Sequence, residues 1–267
     1  MKAILLPVAD RPECKLALDT AFLLAKQFEG SVIGCHLRPH RGEAQTDKSS
    51  ELNSQAAQKL FRRLATDNEF RLAKQPTLGA KQIAQWIEMV GSLDKLFSIV
   101  GPTADASIVS RPKRTSKGRA ADFVLSAMLG TGKPVIVLPQ APITSLGNRV
   151  LIAWNQSVDS ARAVSAALPI LQQAEAVEIV TVGSESRTGP KASALTNYLK
   201  LWGVKSSRTR CRGRDPAAEI LETYRSTNSD LIVMGAYSRG RFRERIFGGV
   251  TEDLVFRSGE PVFALHN

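Results

Sequence analysis

One phrase occurs twice in this chain, and it constrains the fold more than any other feature. Lys2-Ala3-Ile4-Leu5-Leu6-Pro7-Val8 is echoed by Arg149-Val150-Leu151-Ile152-Ala153-Trp154-Asn155. A second phrase, Gly132-Lys133-Pro134-Val135-Ile136-Val137-Leu138, returns as Gly259-Glu260-Pro261-Val262-Phe263-Ala264-Leu265. Opening and closing phrases repeated in this order mean that each half builds a similar unit around its own core. The 267 residues leave room for two such units, each within the usual domain range of roughly 100 to 150 residues.

Each opening phrase reads as an apolar strand, followed by a polar turn and a helical pattern. Ala17, Thr20, Ala21, Leu24 and Phe28 form one stripe in the first half, and Val164, Ala167, Leu168 and Leu171 form its counterpart in the second. Short strands follow at 31–37 and 177–182. The rest of the second half reads as a helix at 192–202 stopped by Gly203 and a strand at 204–210. Next comes a helix that Asp215 can cap, with Pro216 at its first position. A strand at 230–234, a loop, a helix at 250–257 and a strand at 261–265 complete it. In the first half the fourth strand is read at 97–100, followed by Gly101-Pro102-Thr103-Ala104-Asp105.

Strands that alternate with helices and are apolar without polar alternation belong to a parallel sheet covered on both faces. The fold class is α/β: two tandem doubly wound five-stranded parallel-sheet domains, Rossmann-like. The loop chemistry of 139–148 places the junction there, giving domains 1–146 and 147–267.

Formal charge is +11, which makes polyanions candidate partners. The excess is shared: residues 1–146 hold 20 Lys/Arg against 13 Asp/Glu, and residues 147–267 hold 16 against 12. Cys14, Cys35 and Cys211 are an odd number without a C-x-x-C pair, which argues against a disulfide framework and fits a cytoplasmic protein. Cys35-His36 with His40 lacks a second cluster to complete a metal site. No apolar run reaches eighteen residues and the start has no secretory pattern, so no membrane span is expected.

The stretch with most chemistry is 235–263, which opens with Gly235 after the apolar run Leu231-Ile232-Val233-Met234. In a doubly wound sheet ligands sit beyond the carboxyl ends of strands, and a glycine there lets backbone approach a phosphate. Gly248-Gly249 just precedes a helix. Neither G-x-G-x-x-G nor the P-loop pattern occurs. The stretch resembles the universal stress protein family, whose nucleotide-binding members carry G-x-x-G-x9-G-[ST] after the fourth strand. Gly235, Ser238, Gly248 and Gly249 hold those four positions with that spacing. Val150 to Ser157 looks like that family's first strand and turn, and Gly248-Gly249-Val250-Thr251 like the opening of its last helix.

The resemblance implies a tandem universal stress protein, of the adenine nucleotide alpha hydrolase-like fold, with a stress-response role and ATP as the candidate ligand. The implied nucleotide- or phosphate-binding residues are Trp154, Asn155, Met234, Gly235, Ser238, Arg239, Gly248, Gly249, Val250 and Thr251. Trp154 could instead be core packing. The departures bear on affinity. Asn155 stands where nucleotide-binding relatives have an Asp, Ser238 replaces the second glycine, and Gly249 replaces the Ser or Thr hydroxyl. Losses of about 1 kcal/mol for each hydrogen-bond change and 1 to 2 kcal/mol for strain at Ser238 sum to near 3 kcal/mol, or on the order of a hundredfold in affinity. Arg239, Arg241, Arg243 and Arg245 crowd the same loop and can compensate toward phosphate, or pair with Glu244 and Glu252.

The first half lacks the glycine pattern, and no family-type nucleotide site is expected in it. Its run from Arg111 to Arg119 holds five basic residues in nine, a solvated loop or a contact for proteins or nucleic acid. In that scaffold alternative, neutralising Arg111, Lys113 and Arg114 weakens a salt-sensitive interaction. No nucleophile elbow accompanies His36, His40 or His266, and Glu219, Glu222 and Glu252 read as exposed helix positions. At most a weak ATPase is expected, with no metal. The resemblance also implies pairing of the closing strands, 134–138 with 261–265, as a pseudo-dimer within the chain, or homodimerisation.

Overall fold

The computed structural model describes residues 1–9, 12–38, 47–111, 119–236 and 249–266. The chain divides into two units, Met1–Ile143 and Thr144–Asn267. The first contains β1 (Ala3–Pro7), α1 (Pro12–Gln27), β2 (Ser31–Arg38), α2 (Asp47–Asp67), β3 (Arg71–Leu72), β4 (Ile83–Val90), α3 (Leu93–Val100), β5 (Ala106–Ser110), α4 (Arg119–Gly130) and β6 (Val135–Leu138). Its strands lie in the order β3-β4-β2-β1-β5-β6, and the pairings are parallel. This unit has one strand more than the five expected, because two residues of β3 pair with the start of β4.

The second unit contains β7 (Arg149–Ala153), α5 (Val158–Leu171), β8 (Ala176–Val182), α6 (Ala192–Leu201), β9 (Ser207–Cys211), α7 (Pro216–Ser226), β10 (Leu231–Gly235), α8 (Gly249–Glu252, continued by a π turn over Asp253–Arg257) and β11 (Val262–Leu265). The order is β11-β10-β7-β8-β9, again in parallel register. The apolar strands are central: Ile4, Leu5 and Leu6 of β1 and Leu231, Ile232 and Val233 of β10 have no exposed surface. Helices on both sides explain why these strands show no polar alternation. Among the described residues no helix is long and apolar enough to cross a membrane.

Helix and turn chemistry follows sequence. Asp215 Oδ1 accepts from the backbone N of Ala217 (3.0 Å) and Ala218 (3.2 Å), and Gly203 ends α6 at φ +74°, a conformation glycine adopts without strain. Ser157 caps α5, accepting from Ser160 N at 3.1 Å. In the first unit Phe22 of α1 packs against Phe61 (5.7 Å) and, edge-on, against Phe70 (5.0 Å). Gly34 of β2 lets Phe61 lie against the sheet, since a Cβ there would stand 2.6 Å from its ring.

A second expectation for the first unit is also overturned. Residues 97–100 are not the fourth strand but the end of α3, and the fourth strand of the repeat is β5, Ala106–Ser110. Ser92 caps α3 by accepting from Lys95 N, and Leu96, Phe97 and Val100 form its buried face at helical spacing. Asp105 identifies the true strand. Its carboxylate accepts from the backbone N of Ala3 (3.0 Å) and of Lys2, while its own N donates to Ala3 O at 2.8 Å. In the second unit Asp230 accepts from the backbone N of Gly147 (2.9 Å), Asn148 (3.1 Å) and Arg149 (3.1 Å), and its N donates to Arg149 O at 2.8 Å. Each unit thus fastens its first strand to its fourth with one aspartate.

Candidate functional site

The second unit's strand order reverses between β7 and β10. β7 continues to β8 on one side, and β10 continues to β11 on the other. Ligands of open α/β sheets bind beyond the carboxyl ends of strands at such a switch point. Met234 pairs with Ala153, so Gly235 is level with Trp154, and Ala236 with Asn155. The structure therefore brings Trp154, Asn155, Met234 and Gly235 to one end of one strand pair. Ser238, Arg239 and Gly248 lie outside the described residues, as do Arg241, Arg243, Glu244 and Arg245. Of the opening of α8, Gly249 is exposed, Val250 half-buried and Thr251 buried.

Gly235 is fixed by packing. A Cβ there would lie 2.4 Å from Ser160 N and 2.5 Å from the Asp159 carbonyl carbon, so α5 approaches too closely for any side chain. Gly235 is not among the positive-φ residues, so contact rather than backbone conformation demands glycine. At Gly249, by contrast, no described atom lies within 4 Å of the Cβ position.

The end of β7 is strapped down by the β8–α6 loop, residues 183–191. Trp154 is buried, and its indole N–H donates to Pro190 O at 2.9 Å. Gln156, at φ +63°, is buried and donates from Nε2 to Gly189 O (3.0 Å) and Arg187 O (3.2 Å). Arg187 Nη1 reaches Asn155 O at 3.4 Å. The strap needs its glycine, because a Cβ on Gly189 would sit 2.1 Å from Gln156 O. Glu185 Oε1 accepts from Ala192 N at 2.6 Å and so closes the strap onto the start of α6. Asn155 Oδ1 accepts from Ser157 N at 3.1 Å, an Asx turn that forms the entry to α5. Sequence reading passed over Gln156, Arg187, Gly189 and Pro190. The only local signal was the Gly189-Pro190 pair, a turn dipeptide.

The remaining candidates separate. Arg111 is buried, not part of a solvated run, and its backbone joins Leu138 O (2.8 Å) and Gln140 Nε2 (2.9 Å); residues 112–118 lie outside the described residues. Glu252 pairs with Arg257 at 2.5 Å. Cys35 and His36 are adjacent on β2 and so point to opposite faces. Burial pushes the Cys35 thiol up to about 12, and His40 lies outside the described residues. His36 Nδ1 donates to Val8 O at 2.8 Å. Nearby, Glu88 Oε1 accepts from Trp86 Nε1 (3.0 Å) and Ser54 Oγ (2.9 Å). The Trp86 hydrogen bond, aided by Ser54, His36 and Arg38, outweighs burial and holds the Glu88 carboxyl below its ordinary range.

Residues 156–266 match the model of the Universal stress protein family. Among solved structures, a universal stress protein from Archaeoglobus fulgidus DSM 4304 is similar over 99% of this chain and 96% of its own, with a TM-score of 0.73 and 17% identity. A functionally unknown protein from Pseudomonas aeruginosa PAO1 is similar over 100% of this chain and 92% of its own, with a TM-score of 0.62 and 14% identity. No curated protein matches the chain. Over its second unit the chain is similar to the Universal stress protein family, and its two units in tandem have the α/β fold of the universal stress protein structure that it matches along its length.

Proposed function

We propose that the chain is a non-catalytic binding protein of the stress response, acting in the cytoplasm, whose second unit takes an adenine nucleotide, ATP in the first instance, with low affinity. The observation that carries this reading is that Gly235, at the end of β10, and Asn155, just past the end of its neighbour β7, come to the same end of that strand pair at the switch point. Low affinity follows from Asn155. A neutral amide stands where a carboxylate would hold the ligand, and its oxygen is already used by the Ser157 turn. The strap favours a second reading, a scaffold without nucleotide, because Trp154 and Gln156 spend their polar groups on residues 187–190. In either reading the closing strands β6 and β11 are proposed to pair as a pseudo-dimer, by analogy with the family.

The test is calorimetry with ATP at millimolar concentration, on the wild-type chain and on Asn155→Asp/Gly249→Ser. The Ser side chain meets no described atom within 4 Å of its Cβ and restores a hydroxyl. Each change is expected to strengthen binding by about 1 kcal/mol, so the pair by roughly thirtyfold. Silence from both proteins, together with no nucleotide in the mass spectrum of the denatured preparation, selects the scaffold reading.

A further inference from the structure

The outer strand of the second unit carries a ladder of positive charge that none of the preceding functional readings uses. β9 ends the strand order of that unit, with β8 on one side and, among the described residues, no strand on the other. Cys211 O accepts from Gly183 N at 2.9 Å, so the backbone groups of Cys211 and, by the period of two, of Thr209 and Ser207 face β8. The amide and carbonyl groups of Arg208 and Arg210 therefore face the open edge. Their side chains share one face of the sheet. The other face belongs to α7, against which Cys211 Sγ meets Thr223 Oγ1 at 3.5 Å.

Arg212 and Arg214 continue the alternation, Lys205 precedes it, and all five basic side chains are exposed. Arg210 Nε donates to Gly183 O at 3.0 Å. No carboxylate among the described residues forms an ion pair with any of the five. The neighbouring acidic residues are engaged elsewhere: Asp215 caps α7, Glu178 of β8 meets Ser207, and Glu219 of α7 lies against Gly213 and acts on Cys211, on the face opposite Arg208 and Arg210. An edge with unpaired backbone groups is a template for an added strand. Arginines repeating every second residue repel a second copy of the same edge and match a strand with carboxylates every second residue, since opposed charges on one face stabilise cross-strand pairs.

We propose that β9 is a docking edge for an extended acidic peptide of a partner protein, which adds to the second unit as a further strand. Its alternate Asp or Glu side chains meet Arg208 and Arg210, and its backbone bonds the edge groups of those two residues. A folded acidic surface or a nucleic acid would use the charge and leave the edge groups unpaired.

The experiment is fluorescence anisotropy of the intact chain with a labelled peptide of alternating Thr and Glu. Two further versions are N-methylated at the odd or at the even positions, and a single-stranded oligonucleotide of equal charge is run beside them. The expected result is binding of the parent peptide, a loss of about tenfold or more for one N-methylated version only, and weaker binding of the oligonucleotide. Arg208→Glu/Arg210→Glu is expected to abolish binding, while Arg208→Lys/Arg210→Lys keeps the charge and most of the affinity; circular dichroism checks that both variants are folded. No binding of the parent peptide, equal effects of the two methylations, or an oligonucleotide that binds as tightly as the peptide overturns the proposal.

Discussion

Gly235 shows how a motif position can be fixed by packing. The backbone of α5 at Asp159 and Ser160 occupies the space of any Cβ. Gly235→Ala is expected to lower stability by about 1 to 3 kcal/mol, the usual cost of overpacking, whether or not ligand is present; thermal unfolding without nucleotide checks it. The glycine spacing is in this sense evidence of the fold first. Burial acts as directly on Cys35. With its thiol raised to about 12, almost none is thiolate at neutral pH, and the thiolate is the reactive form. A thiol reagent at neutral pH is expected to leave Cys35 unmodified until the chain unfolds, which peptide mass mapping reads directly. Glu88 gives a pH signature. Its folded carboxyl is held below the ordinary value, so its stabilising contribution is complete above the unfolded pKa and is lost as pH falls through the folded one. The stability gap between wild type and Glu88→Gln, measured in urea, is expected to be largest near neutrality and to close as pH falls below about 4.

At the scale of elements, the aspartate that joins first and fourth strands recurs in both units and performs a distinct task. Asp230 accepts from three backbone N–H groups. Asp230→Ala is expected to destabilise the second unit by roughly 2 to 4 kcal/mol, since hydrogen bonds to charged groups are worth about 1.5 to 3 each and the three act together; a lower urea midpoint with an unchanged slope checks it. This same device was legible in the sequence. Asp105-Ala106-Ser107-Ile108-Val109 parallels Asp230-Leu231-Ile232-Val233-Met234, and following that echo would have placed β5 correctly. The short stretch Phe97-Ser98-Ile99-Val100 drew the strand instead, because so few apolar residues do not separate a strand from a buried helical turn. Among its described residues the second unit was read within a few residues, helped by the Ser157 and Asp215 caps and the Gly203 stop. The strap was not legible. Its bonds run from Trp154 and Gln156 to backbone carbonyls of residues 187–190, and a carbonyl acceptor has no residue type to betray it.

For the whole molecule, the repeat means that two cores of similar plan are built from one chain, and its net positive charge is distributed over both halves. The paired aspartates carry a consequence for synthesis. In the first unit the clamp joins positions 102 apart, and in the second, 81 to 83 apart. Parallel neighbours cannot meet until the intervening crossover has been made. On the ribosome, Ile4, Leu5 and Leu6 emerge about a hundred residues ahead of the strand that covers one flank of β1, an interval on the order of 5 to 20 seconds at ordinary elongation rates. For that interval a strand with a fully buried apolar centre waits with an open edge, in the period when nascent chains meet chaperones or each other.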